Sequence, residues 1–208
     1  MKIKGLTLEE LGAVVCETLA NHKIDAVLSG GSCVSVWTDN QYSSNDMDMI
    51  TTTLTSQYQL SAALESIGFT RSGKGRYYVH PDTELALEFP SGPLMLGDEH
   101  ITEDRIHHLR TKTGTLRLLS PTDCVKDRLA AFYDWGDKQS WEQAVSVARR
   151  HTPDWVSLQR WHQAEGVLVT DLAVFQFSSG RPVLTALMPD VTVEQVRLNT
   201  NFTFETDL

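Results

Sequence analysis

Residues 25–50 read DAVLSGGSCVSVWTDNQYSSNDMDMI. A short apolar segment, Ile24 to Leu28, runs into Gly30-Gly31-Ser32, and after a polar stretch Asp46-Met47-Asp48 sits inside a second apolar run. The first part has the pattern of a buried strand feeding a tight turn, with Ser32 to Trp37 beginning a short helix. Thr38 to Asn45, rich in Asp, Asn and Ser, reads as a loop. Side chains alternate across a strand, so Asp46 and Asp48 share one face of the second strand, and Met47 and Met49 share the other.

Two carboxylates projecting from one strand face suit a divalent metal, because Mg²⁺ prefers hard oxygen ligands and completes its shell from substrate phosphates and water. Two like charges side by side also raise one pKa sharply, so a cation or a nearby Lys or Arg is required. Gly30, Gly31 and Ser32 supply a complementary half. Glycines let the backbone approach a phosphate closely, and the N–H groups of a helix start favour anions. The stretch therefore describes a site for a nucleoside triphosphate and a metal.

Outward from it, Thr7-Leu8-Glu9-Glu10 has the capping-box pattern, and Leu8, Leu11, Val15 and Leu19 fall on one helical face as far as Asn21. Leu60, Ala63, Leu64 and Ile67 mark a helix stopped by Gly68. Arg76 to Val79 and Glu84 to Phe89 read as strands paired across the turn His80-Pro81-Asp82-Thr83, and Ile106 to Thr111 with Leu116 to Leu118 as a further hairpin. Beyond residue 119 the grammar changes. Ser120-Pro121 is a helix start, with Val125, Leu129 and Phe132 on an apolar face. Lys138 to Arg150 reads as another helix, and Pro153-Asp154 opens a third that Gly166 ends. Val167 to Phe177 is ambiguous, and the segment from Arg181 carries no readable pattern. The expected organisation is an α/β domain over 1–119 and a helical C-terminal region with an unassigned tail over 120–208.

The composition bounds the partners. Of 208 residues, 41% are hydrophobic and 22% charged, ordinary values for a chain with a real core. A net charge of −9 argues against a broad basic surface for nucleic acid or acidic lipid. Cys16, Cys33 and Cys124 are widely spaced, without the pairing expected of zinc or a disulfide framework, and read as core thiols of a reducing compartment. No run approaches the roughly 18 apolar residues of a membrane span, and MKIKGLTLEE has no signal character, so a cytoplasmic protein without membrane partners is expected.

The order Gly30-Gly31-Ser32, thirteen residues, Asp46-Met47-Asp48 resembles the nucleotidyltransferase superfamily of the DNA polymerase beta type. The resemblance implies an α+β fold, a mixed sheet flanked by helices and followed by a mostly helical C-terminal part. It implies a third carboxylate from a later strand, for which Glu88 is the choice and Glu84, on the same strand face, the second. It further implies two-metal phosphoryl transfer with Mg²⁺ or Mn²⁺ and an NTP substrate, Asp46, Asp48 and Glu88 serving as metal ligands and catalytic groups. Gly30, Gly31 and Ser32 would hold the distal phosphates. The run LLSPTDCVKDRLAAFYDWGDKQSWEQAVSVAR also resembles the helical part of bacterial nucleotidyltransferase-like proteins of toxin-antitoxin and phage-defence loci, the AbiEii toxins among them. That likeness implies Lys126, Arg128 and Lys138 near the triphosphate, a hydroxyl acceptor on RNA, tRNA included, or on protein, and a cognate antitoxin. Gln143 stands where such toxins carry a second acidic residue.

Other readings attach to the same residues. A catalytically inactive protein of this fold would bind a nucleotide or a partner protein, and a glycosyltransferase also uses Asp-x-Asp to hold a metal. Lys126, Arg128 and Lys138 are equally the polar face of amphipathic helices. His107 and His108 are adjacent on a strand and point to opposite faces, which makes them surface residues rather than a chelating pair. An RNA acceptor would need a local groove, with Arg71, Lys74, Arg76, Lys112 and Arg117 as its candidates.

Overall fold

The computed structural model describes residues 2–42, 44–73, 76–164, 167–170, 172–178, 181–200 and 202–208. The expected end of a helix at Gly166 and the candidate groove residue Lys74 lie outside these residues. The chain divides into two compact units, Met1–Pro153 and Asp154–Leu208.

The first unit opens with α1 (Leu8–Asn21), whose capping box forms as its sequence requires: Thr7 Oγ1 accepts from the Glu10 N–H, and Glu10 accepts from the Thr7 N–H. There follow β1 (Ala26–Leu28), α2 (Gly30–Trp37), β2 (Asp46–Thr51) and α3 (Gln57–Glu65). Short strands come next: β3 (Thr70–Arg71), β4 (Tyr77–Val79), β5 (Ala86–Glu88), β6 (Met95–Leu96), β7 (Glu99–His100), β8 (His107–Arg110) and β9 (Thr115–Leu118). Two helices, α4 (Pro121–Trp135) and α5 (Lys138–Arg150), end the unit. Ser120 caps α4 through its hydroxyl, Pro121 takes the first helical position, and Gly136 ends the helix at φ +64°.

Seven strands form one mixed sheet in the order β3-β4-β5-β2-β1-β9-β8. β1 runs antiparallel to β2, β2 parallel to β5, and β1 parallel to β9. The expected hairpins are β4–β5 and β8–β9. Met47 and Met49 are fully buried on one face of β2. Gly12 of α1 explains how close that face lies to a helix: a Cβ there would come within 2.8 Å of Leu116 and 3.0 Å of Met47. The opposite face carries Asp46 and Asp48, and α2 packs against both α4 and α5. This is the expected α+β architecture.

The second unit consists of α6 (Trp155–Ala164), β10 (Val167–Val169), β11 (Ala173–Ser178), β12 (Arg181–Leu187), α7 (Val193–Asn199) and β13 (Glu205–Thr206). Its strands form a separate four-stranded sheet in that order. Phe175, Leu184 and Val196 are buried at its centre, with Phe202 and Phe204 edge-on to Phe175 at 5.2 and 5.1 Å. The sequence pattern changes near residue 119, whereas α4 and α5 group with the first sheet, and the segment from Arg181 that carried no readable pattern forms β12, α7 and β13. All three cysteines are buried free thiols. No helix among the described residues is long and apolar enough to cross a membrane.

Candidate active site

The strand register assembles an acidic group. β2 and β5 pair in parallel with Asp46 opposite Ala86 and Asp48 opposite Glu88. One carboxylate oxygen from each of Asp46, Asp48 and Glu88 lies within 4.8 Å of the others. Glu84 is exposed and outside β5, so it does not join them. Burial, above all, pushes the Asp48 carboxyl up to about 7, with the charges of Asp46 and Glu88 adding to the effect and Arg128 opposing it. Three hard oxygen donors that repel one another at this separation fit Mg²⁺ or Mn²⁺.

The turn beside them is built for close approach. Gly30 has φ +64°, and a Cβ there would lie 2.0 Å from Asp48 Oδ2, so only glycine leaves room for that carboxylate. Ser32 donates through its hydroxyl to the carbonyl oxygen of Asp46, tying the first turn of α2 to β2. Ser44 Oγ lies 2.8 Å from Asp46 Oδ1 and fixes that side chain from the preceding loop. Ser29, at the N-cap, makes no side-chain bond to the first turn of α2. The Gly30 N–H is nonetheless engaged, donating to Asp127 Oδ2 at 3.2 Å. The first turn available to an anion is thus that of Gly31 and Ser32.

Each expected cation has a distinct position. Arg128 comes to the site: its guanidinium donates to Asp127 Oδ2 from Nε at 2.9 Å and Nη2 at 2.6 Å, and it lowers the pKa of Asp48. Lys126 does not. It is fully buried and donates to Glu99 Oε2 at 2.7 Å, within a network where Arg105 also pairs with Glu99 and with the buried Asp123. Lys138 is the exposed first residue of α5. Arg76, expected only as a groove candidate, pairs with the buried Glu88, and Tyr77, opposite Glu88 in the β4–β5 ladder, has its hydroxyl pKa raised by that carboxylate. Alternation along β4 held the only clue to Tyr77, since the residue opposite Glu88 in that hairpin must flank it.

A cleft of about 510 Å³ opens against this group. Its walls come from α2 and α5 (Gly31, Gln139, Gln143), the loop before β2 (Tyr42, Ser44, Asn45) and the sheet (Asp46, Tyr77, Ala86). None of these residues is basic. The groove candidates are dispersed: Arg117 pairs with Asp25 at 2.8 Å and Glu103 at 2.6 Å, and Lys112 reaches Glu10 at 3.8 Å.

The mixed sheet flanked by helices is a fold shared with a solved nucleotidyltransferase-like protein. Neither a protein-family model nor a curated protein matches the sequence. Among solved structures, an antigenic nucleotidyltransferase-like protein from Paracoccidioides brasiliensis superposes with a TM-score of 0.54 at 15% identity, covering 76% of this chain and 88% of the other. The lincosamide antibiotic adenylyltransferase LnuA, lincomycin-bound, superposes at 0.46 and 17% identity, covering 70% and 99%. ANT(2")-Ia in complex with adenylyl-2"-tobramycin superposes at 0.46 and 11% identity, covering 73% and 93%.

Proposed function

We propose that the protein is a metal-dependent nucleotidyltransferase that moves a nucleoside monophosphate from an NTP to a hydroxyl acceptor. The observation that carries this reading is the convergence of Asp46, Asp48 and Glu88 within 4.8 Å beside the glycine turn of α2. These carboxylates would hold Mg²⁺ or Mn²⁺. When bound, the metal neutralises the triphosphate, lowers the pKa of the attacking hydroxyl and stabilises the departing pyrophosphate. The first turn of α2, at Gly31 and Ser32, orients the distal phosphates through its N–H groups, while Arg128, held by Asp127, adds positive charge on the same side. Glu88 is positioned by Arg76 and Tyr77 and takes the hydroxyl proton.

Between the acceptor classes that the AbiEii-type likeness implies, charge favours a protein hydroxyl over RNA. The net charge is −9, the cleft has no basic wall, and Arg76 and Arg117 are committed to ion pairs. A cytoplasmic setting and a cognate antitoxin accompany that likeness. The test is transfer of label from α-³²P-NTP to protein and to RNA, with and without EDTA. Asp46→Ala and Asp48→Ala are each expected to lower transfer at least ~100-fold, the loss typical of removing a central electrostatic group. Labelling unchanged in both variants would sink the mechanism. Tight NTP binding with no transfer to either acceptor would favour the inactive, nucleotide-binding form of the fold.

A further inference from the structure

We infer that Gln143, on α5, recognises the nucleoside half of the nucleotide; the inference rests on the nucleotidyltransferase reading above. Gln143 is only 7% exposed, yet its Oε1 meets no hydrogen-bond donor among the described residues. Buried neutral acceptors are almost always paired, because leaving one unmade forfeits its hydration without return. The side chain is not sealed in the core but lines the cleft beside the acidic group. A side chain that lines a cleft while its carboxamide oxygen goes unpaired needs only a turn of that carboxamide to meet a donor on a ligand.

The neighbours say which ligand. A Cβ on Gly31 would lie 3.9 Å from Gln143 Nε2, so the carboxamide borders the turn assigned to the phosphates. Tyr42, Ser44, Asn45 and Gln139 surround the same cleft with hydroxyls, amides and a ring, without a Lys or Arg. Such a wall suits a neutral group bearing N–H or O–H donors, a base with its ribose, and is wrong for a second polyanion. A volume of about 510 Å³ is within the size of small-molecule sites. The acceptor hydroxyl belongs instead to the sheet side of the cleft, where Tyr77 and Arg76 flank Glu88.

The test is calorimetric, on the full chain with Mg²⁺, titrating NTP and inorganic tripolyphosphate into wild type and Gln143→Leu. NTP affinity is expected to fall ~10-fold, the worth of one good hydrogen bond, with tripolyphosphate affinity unchanged. The melting temperature should equal or exceed wild type, because the variant removes an unpaired acceptor. Gln143→Met, nearer the original length, repeats the comparison should the Leu variant fold poorly. Unchanged NTP affinity in a variant whose parent binds NTP would overturn this inference and leave the transferase reading standing. An equal loss for both ligands with a lowered melting temperature would make Gln143 structural and overturn it as well. A wild-type protein that binds neither NTP nor tripolyphosphate would overturn both readings.

Discussion

At the scale of single residues, Asp48 sits under conflicting demands. It pairs with Glu88 across the β2–β5 ladder, approaches Gly30 too closely for any Cβ, and is held neutral up to about pH 7 by burial and by its acidic neighbours. A carboxyl whose folded pKa is raised favours the folded state below its unfolded value, near 3.8, and that contribution is lost as pH rises through about 7. Without divalent cation, wild type is therefore expected to lose melting temperature relative to Asp48→Asn as pH goes from about 4 to about 7. Differential scanning fluorimetry in EDTA measures the gap between the two proteins. A gap that does not widen with pH would contradict the assignment. Mg²⁺ should narrow it, since the cation compensates the charge that the fold leaves exposed to repulsion. The aspartate pair and the glycine turn were legible as residues because their types are improbable in an apolar strand and at a helix start. Lys126 was not: its charge on an amphipathic helix reads the same whether it faces a ligand or, as here, Glu99. The unpaired oxygen of Gln143 was equally invisible, being a property of what surrounds it.

At the scale of elements, α1, β1, α2 and β2 follow from local signals, namely the Thr7 box, the apolar run, the glycines and the alternation around Met47 and Met49. The position of β5 was readable only as a strand; that Glu88 rather than Glu84 meets Asp48 is a matter of parallel register, which depends on a non-local pairing. The strands after residue 166 escaped because an unbroken apolar run fits a buried strand or a buried helix equally well. Helix α4 links stability to the site, since it carries Arg128 and Asp127 and starts at a hydroxyl cap in which Ser120 Oγ accepts from the Asp123 N–H at 3.2 Å. Ser120→Ala is expected to destabilise the protein by about 1 kcal/mol, the usual loss for a cap, as read from the shift in urea midpoint. An unchanged midpoint would mean that water replaces the cap without penalty.

At the scale of the whole molecule, every residue assigned to the site lies within 1–153, the unit that also contains the seven-stranded sheet and its buried layer. The 55 residues that follow build their own small core around Phe175, with Arg197 stacked 5.2 Å over Phe204. A chain of residues 1–153 is expected to melt in one cooperative transition by circular dichroism, because its core is continuous and large enough to support a domain. A broad, non-cooperative melt would show that the second unit is needed to complete it.

The alternation on β2 has an outcome beyond chemistry. If that strand were threaded one position out of step, Met47 and Met49 would turn to the open side and both aspartates would enter the apolar layer beside Leu116 and α1. The penalty for burying two unpaired carboxylates there removes the mis-threaded chain from the accessible ensemble. The same two aspartates thus bear on the proposed chemistry and on the threading, since their alternation with Met47 and Met49 admits a single register of the sheet.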